Sequence, residues 1–176
     1  VLGVPPCDVH VVSVQDTDVS PYDGGAYATR QTYVCGTAVV RAAGELRQKI
    51  LDYAAELCAV PANALTIKNG GIVVQATGEV AHPLLEVALR SVYDKTRGAA
   101  LTSDVSIKLQ SSAPVFGASF VDLEVDSAAC KITVHRLLNV PDSGRILSRQ
   151  LAEGPVQGGV SIGLGSALYD QPLPAS

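Results

Sequence analysis

The clearest periodic signal begins at Ala38, where Val39, Ala43, Leu46, Ile50, Tyr53 and Leu57 recur at three- and four-residue steps and so share one helix face. Glu45 and Lys49 stand four residues apart on the other side, in the order that favours an ion pair. Pro61 cannot continue a helix, so this one is expected to end before it. Upstream, residues 7–14 (CDVHVVSV) are β-branched and apolar and predict a strand. Residues 64–78 form two apolar runs split by Asn69, Gly70 and Gly71, which is a hairpin signal. A short amphipathic helix is expected over residues 83–94, with Pro83 near its first turn. Residues 103–110 alternate with period two, placing Val105, Ile107 and Leu109 on one face of a further strand. Residues 119–140 predict two strands joined by a tight turn at 127–130, with Asp122, Glu124 and Asp126 facing outward. A glycine-rich helix is expected over residues 147–171. There is no internal repeat and no low-complexity linker. The sum is an α+β architecture, mixed sheets with packed helices, organised as a stretch 1–113 and a stretch 114–176.

Composition narrows this picture without changing it. With 176 residues the chain is long enough for one domain with a real core, or for a large piece of a bigger one. A hydrophobic share of 47% against 17% charged residues places it among well-buried globular proteins rather than disordered ones. The net charge of −4 and the lack of any Lys/Arg cluster argue against nucleic acid or an anionic membrane as a partner. No apolar run approaches a membrane span, and the first residues lack the basic start of a signal peptide. The chain has no methionine and starts in mid-pattern at Val1, which predicts a piece of a longer polypeptide. Cys7, Cys35, Cys58 and Cys130 are scattered, with no CxxC pair and no histidine at ligand spacing. Zinc and protein-bound iron–sulfur sites are therefore not expected, and the thiols are read as reduced and mostly buried in a cytoplasmic protein.

Candidate chemistry concentrates in residues 16–34 (DTDVSPYDGGAYATRQTYV). After Gly24 and Gly25 come the small residues Ala26 and Ala28, then Thr29 as a natural helix N-cap, then Arg30 and Gln31 as donors. Free N–H groups at a helix start attract anions, so a phosphate or pyrophosphate suits this pattern. On physics alone an ordinary capped turn leading into a helix is the favoured reading. Asp16, Asp18 and Asp23 lack the rest of a calcium loop and are assigned to caps and turns. His10, His82 and His135 are isolated, and no nucleophile can be argued from spacing. Gly158, Gly159, Gly163 and Gly165 each cost a helix interior about 0.8–1 kcal/mol relative to alanine. Such a cluster implies close approach of another helix or of a flat ligand. The string GLGSAL lacks a third glycine and a leading strand, so it is not a dinucleotide fingerprint.

Residues 16–34 also resemble the pterin-binding segment of the molybdenum hydroxylases, the xanthine dehydrogenase and aldehyde oxidase family. A second block, APVFGASFVDLEVD followed by CKITVHRLLNVPDSGRILSRQLAEGPVQGGVSIGLGSALYDQ, resembles the region that follows it in the same subunit. The run AACKITVHRLLNV with DSG and LAEG is most similar to the molybdenum-binding subunit of bacterial xanthine dehydrogenases. The likeness is collinear and covers nearly the whole chain. It implies part of a molybdopterin-binding domain in an oxidoreductase that inserts water-derived oxygen into a purine-type heteroaromatic C–H or an aldehyde. The implied cofactor is a molybdenum-pterin, as molybdopterin or its cytosine dinucleotide. FAD and 2Fe-2S clusters would sit on other domains or subunits of a cytoplasmic hetero-oligomer of purine metabolism.

Carried over residue by residue, the motif implies cofactor contacts from Gly25, Ala26, Tyr27, Ala28, Thr29, Arg30 and Gln31. Main-chain donation is expected around Ala28, with the Thr29 and Gln31 side chains at the phosphate end. Gly158 and Gly159 would let a second backbone approach the pterin. Four positions depart from the family pattern: Pro155 stands where a pterin-holding glutamine is usual, Ser148 and Arg149 replace an Asn-Pro pair, and Pro141 replaces a histidine. Proline removes both the amide side chain and a backbone N–H. These departures motivate an alternative, a non-catalytic family domain acting as a packing or interaction module. The family's catalytic glutamate lies in a GVGEP-like motif that this sequence does not contain, so no catalytic and no metal-ligating residue is assigned.

Overall fold

The longest element, helix α1, spans Gln31–Cys58 and so starts seven residues before the periodic pattern does. The computed structural model describes residues 1–13, 16–18, 20, 22–27, 30–96, 100–108 and 114–170. That start lies close to the helix N-cap expected at Thr29 and ahead of the periodic pattern that begins at Ala38. Thr32, Tyr33, Val34, Gly36 and Thr37 are weak helix formers, yet extending a formed helix gains one hydrogen bond per residue fixed and avoids the nucleation cost. At its C-terminus Ala59 turns left-handed (φ 53°), and the Val60 N–H reaches back to the Ala55 carbonyl at 3.2 Å. Pro61 follows and prevents any further turn, as its position predicted.

Two compact units divide the chain, Val1–Gln110 and Ser111–Ser176. In the first, β1 (Leu65–Lys68), β2 (Gly71–Val74) and β3 (Val80–Pro83) form an antiparallel sheet in that order. The expected hairpin is present. Lys68 lies opposite Gly71, and the two turn residues between them, Asn69 (φ 49°) and Gly70 (φ 72°), are both left-handed. That is the turn geometry whose twist matches the strands, and Asn-Gly tolerates it best. Pro83 closes β3 and caps α2 (Leu84–Tyr93), close to the expected helix.

The core lies where these pieces meet. Leu65 and Ile67 of β1 and Ile72 of β2 pack with Ile50, Leu51, Tyr53 and Ala54 of α1 and Val87 of α2. Only the C-terminal half of α1 is docked in this way. Val39, expected on the same face, is 66% exposed.

Two expected strands are absent from the described residues. Residues 7–14 begin as a 3-10 turn at Pro6–Asp8, and Val11 and Val12 are exposed on unpaired backbone; Val14 lies outside the described residues. A β-branched run becomes a strand only when a neighbouring edge completes its hydrogen bonds. Residues 103–108 are extended, with Ser103, Val105 and Ile107 half-buried and Asp104, Ser106 and Lys108 exposed. Their alternation records one-sided packing rather than a ladder. Lys49 Nζ donates to the Thr102 carbonyl at 2.8 Å, and Ser103 Oγ donates to Glu45 at 3.2 Å, so this strap is tied to α1. Leu109 and Gln110 lie outside the described residues.

The second unit holds β4 (Phe116–Asp126), β5 (Lys131–Asp142) and α3 (Arg149–Leu168). The turn at 127–130 is as expected: the Asp126 carboxylate accepts from the Ala128 and Ala129 N–H groups at 3.0 and 2.9 Å, and Cys130 is left-handed at φ 50°. Asp122, Glu124 and Asp126 do share a face, opposite Arg136, Thr133 and Lys131. Both faces of the ribbon are exposed, and Phe116, Phe120, Val121, Leu123 and Val125 are uncovered with them. Ser148 caps α3, its hydroxyl accepting from the Leu151 N–H at 3.4 Å, and Pro155 lies inside the helix. The expectation of mostly buried thiols is corrected as well, because Cys7, Cys35 and Cys130 are exposed and only Cys58 is half-buried. They sit on turns and on surfaces that no other segment covers.

These packing differences are measurable by urea unfolding. Ile72→Ala, at a fully buried position, should lower stability by about 2–5 kcal/mol. Leu138→Ala, on the open ribbon, should change it by no more than about 0.5 kcal/mol.

Candidate functional site

Gly25 is where the loop before α1 departs from ordinary backbone. Its φ is +100°, a region that disfavours any side chain, and a Cβ built there would meet no atom within 4 Å. Tyr27 folds back beside Gly24, where a Cβ would lie 3.3 Å from its hydroxyl. The Arg30 guanidinium sits 5.3 Å above the Tyr27 ring, within cation–π range. One nitrogen of that guanidinium, Nη1, donates both to Asp23 Oδ1 at 2.7 Å and to the Gly25 carbonyl at 2.8 Å. Gln31 Nε2 reaches the other Asp23 oxygen at 3.5 Å, while its carbonyl accepts from Cys35 Sγ at 2.7 Å. Residues 23–35 thus carry a continuous polar chain.

Its electrostatics follow from these contacts. The hydrogen bond from Arg30 holds the Asp23 carboxyl below its usual value of 3.8, and the same bond raises the Arg30 guanidinium above its ordinary value. Because the folded carboxyl is the lowered one, the pair's contribution is fully present above its ordinary value and is lost as pH falls through the lowered one. Both groups are charged at neutral pH.

Helix α1 then offers main-chain donors. Its N-cap is Arg30, one residue after the expected Thr29, with helical backbone and no capping side-chain bond. The first turn carries no acidic residue. The N–H groups of Gln31, Thr32 and Tyr33 therefore lie beyond the reach of the intrahelical ladder, which begins with the Val34 N–H on the Arg30 carbonyl at 2.8 Å. Among the described residues no side chain caps these N–H groups and none fills the space at Gly25, an arrangement that suits an anion lying against the main chain.

Of the sequence-predicted residues, Gly25, Ala26, Tyr27, Arg30 and Gln31 come together in this loop. Ala28 and Thr29 lie outside the described residues. Gly158 and Gly159 occur on α3 of the second unit, and a Cβ at either would meet nothing within 4 Å. Neither glycine is thus explained by packing against its own chain. Sequence reasoning missed Asp23 as the hub of the loop; the signal was a carboxylate just before the Gly-Gly pair and an arginine seven residues on. A separate cleft of about 390 Å³ is lined by Lys49, Asp52, Tyr53, Ser91, Leu101 and Thr102. Its polar groups are taken up in structural bonds, Tyr53 to Asp94 at 3.2 Å and Ser91 to the Ala88 carbonyl at 2.8 Å. His82 pairs with Glu86 and His135 with Glu124, both at the surface.

Comparison with known proteins bears on the chain as a whole. Residues 1–173 match the family model described as the molybdopterin cofactor-binding domain. The chain is 46% identical over 171 residues to the putative xanthine dehydrogenase molybdenum-binding subunit of Escherichia coli (strain K12), covering 97% of this chain and 23% of that protein. It is 26% identical to the nicotine 6-hydroxylase large subunit of Paenarthrobacter nicotinovorans, covering 97% of this chain and 21% of that one. Among solved structures, quinoline 2-oxidoreductase from Pseudomonas putida 86 shares the fold with a TM-score of 0.73 at 23% identity, over 93% of this chain and 21% of its own. The chain therefore spans less than a quarter of these relatives' length. With the α+β fold and a family model matched almost end to end, the chain belongs to the molybdopterin cofactor-binding domain family.

Proposed function

We propose that this chain is the pterin-holding part of the molybdenum-binding subunit of a xanthine dehydrogenase-like hydroxylase. The observation that carries the reading is the loop at residues 23–31, which runs into the uncapped start of α1. Support comes from the 46% identity to a protein described as a xanthine dehydrogenase molybdenum-binding subunit. When bound, the molybdenum-pterin supplies the redox chemistry that inserts water-derived oxygen into an electron-poor C–H of a heteroaromatic, or into an aldehyde.

The chain's own residues have narrower tasks. The N–H groups of Gln31, Thr32 and Tyr33, aided by the helix dipole, hold the anionic end of the pterin, be it a phosphate or a cytosine dinucleotide tail. Gly25 lets the flat ring system approach the main chain, with Ala26 and Ala28 keeping that surface low. Tyr27 packs Arg30 against the loop. Thr29 and Gln31 add side-chain contacts, and Gly158 and Gly159 form the second close backbone. None of these groups is asked to take a proton from substrate.

In this reading the parent works with chains or domains carrying FAD and 2Fe-2S clusters, acts on a small heteroaromatic, purine-type compound or an aldehyde, and resides in the cytoplasm. Among the described residues no helix is long and apolar enough to cross a membrane.

The test is the full-length parent, purified with its partner chains. Elemental analysis should find molybdenum, and oxidised extracts should show pterin fluorescence; finding neither would refute the proposal. Within that enzyme, Thr29→Ala and Gln31→Ala should lower cofactor retention more than they lower the melting temperature of the cofactor-free form. Equal losses in both would make the stretch purely structural. Pro155→Gln should raise cofactor content, because it returns an amide and a backbone N–H to α3. Unchanged content would show that position 155 does not touch the pterin.

A further inference from the structure

We propose that Asp23 is a positioning residue for the pterin loop, acting through Arg30 and Gln31 to orient the main chain that receives the cofactor. This rests on the reading of the loop given above. It goes beyond that reading because Asp23 precedes the motif and makes no contact with cofactor in the proposal.

The argument starts from what the loop would do without the carboxylate. Gly25 is left-handed, and no atom of the described residues lies within 4 Å of a Cβ built there, so none of them holds it by packing. Among the described residues, its carbonyl accepts a side-chain bond from Arg30 Nη1 alone, and the same nitrogen donates to Asp23 Oδ1. A guanidinium on a long flexible stem stays on one carbonyl only if something fixes its far end. Asp23 does so with an ion pair of 2.7 Å, and Tyr27 supports the guanidinium from its face at 5.3 Å. The loop from 23 to 30 is thereby closed by a side-chain staple.

A second effect concerns charge. Arg30 occupies the N-cap of α1, where a free cation would oppose the helix dipole and itself bind an incoming anion. Drawn onto Asp23 and the Gly25 carbonyl, the guanidinium has its charge engaged by two acceptors of its own loop. Those donors then face the anion by themselves. Gln31 is aligned by the same carboxylate, its amide held between Asp23 at 3.5 Å and Cys35 at 2.7 Å.

Magnitude separates orientation from stability. The Asp23 side chain is 44% exposed and that of Arg30 25%, and ion pairs this open to water contribute little to folding. Removing Asp23 should therefore leave the fold intact and disturb the cofactor.

The test uses the full-length holoenzyme and reads pterin content per protein, with hydrogen exchange of residues 22–31 and the melting temperature alongside. Asp23→Ala and Arg30→Ala should each reduce pterin content about tenfold, in the range seen when the outer partner of a binding group is lost. Exchange of the loop should speed up while the melting temperature of the cofactor-free form stays put. Asp23→Glu and Arg30→Lys, which keep the charges, should recover most of the content. The double Asp23→Ala/Arg30→Ala should be no worse than Arg30→Ala alone, because the two act as one unit. Full pterin content in Asp23→Ala, higher content from a freed Arg30, or additive losses would each overturn the positioning role while leaving the loop's function intact. A wild-type holoenzyme without pterin would overturn both together.

Discussion

Everything in the first unit depends on the seating of the C-terminal half of α1 against one face of a small sheet. Ile50, Leu51, Tyr53 and Ala54 meet Leu65, Ile67 and Ile72, and Val87 of α2 closes the remaining side. Burying such side chains is worth about 1.5–3 kcal/mol each, which is what can offset the ordering of a 28-residue helix. The rest of α1 then follows by propagation. At about 1.5 Å per residue, the loop before Gln31 is held on the order of 28 Å along the axis from Ile50. A rigid arm anchored at one end is a sound way to present a polar loop. The loop needs no core of its own, only a fixed starting point.

The loop itself is governed by hydrogen bonding and charge rather than burial. Its shape comes from one left-handed glycine, one guanidinium bonded on both sides, and a tyrosine ring beneath it. Such a network contributes little to folding free energy but restricts direction. That division matters for a cofactor-binding segment, because preorganised donors lose less entropy when the ligand arrives. It also separates two roles that the sequence places side by side. Arg30 closes the loop, whereas the main chain after it carries the free donors.

The second unit shows how differently the same residue types behave without a core. The ribbon of β4 and β5 keeps its ladder in register from Phe116 opposite Asp142 to Asp126 opposite Lys131, with one irregularity after Asp122. Its apolar residues change faces along its length: Phe116 and Phe120 lie on one face, Val121, Leu123 and Val125 on the other. A two-stranded ribbon is marginal on its own. Among the described residues nothing covers Gly154, Gly158, Gly159 or Gly163 of α3 either.

Much was legible from local pattern. The Asn69-Gly70 turn, the end of α1 before Pro61, α2 after Pro83 and the 127–130 turn all come from short-range backbone preferences that a few residues determine by themselves. The backbone break at Gly25 was legible for a related reason: a left-handed φ favours glycine. Other features were decided only in three dimensions. Residues 7–14 and 103–108 have strand-like sequences, but a strand needs a partner edge, and neither has one among the described residues. Tyr33, Val34 and Gly36 looked too weak to be helical, yet cooperative extension from a docked half-helix carries them. Asp23 looked like a turn residue. Its bond to a guanidinium seven positions away exists only because the loop folds back on itself, and no periodicity records that.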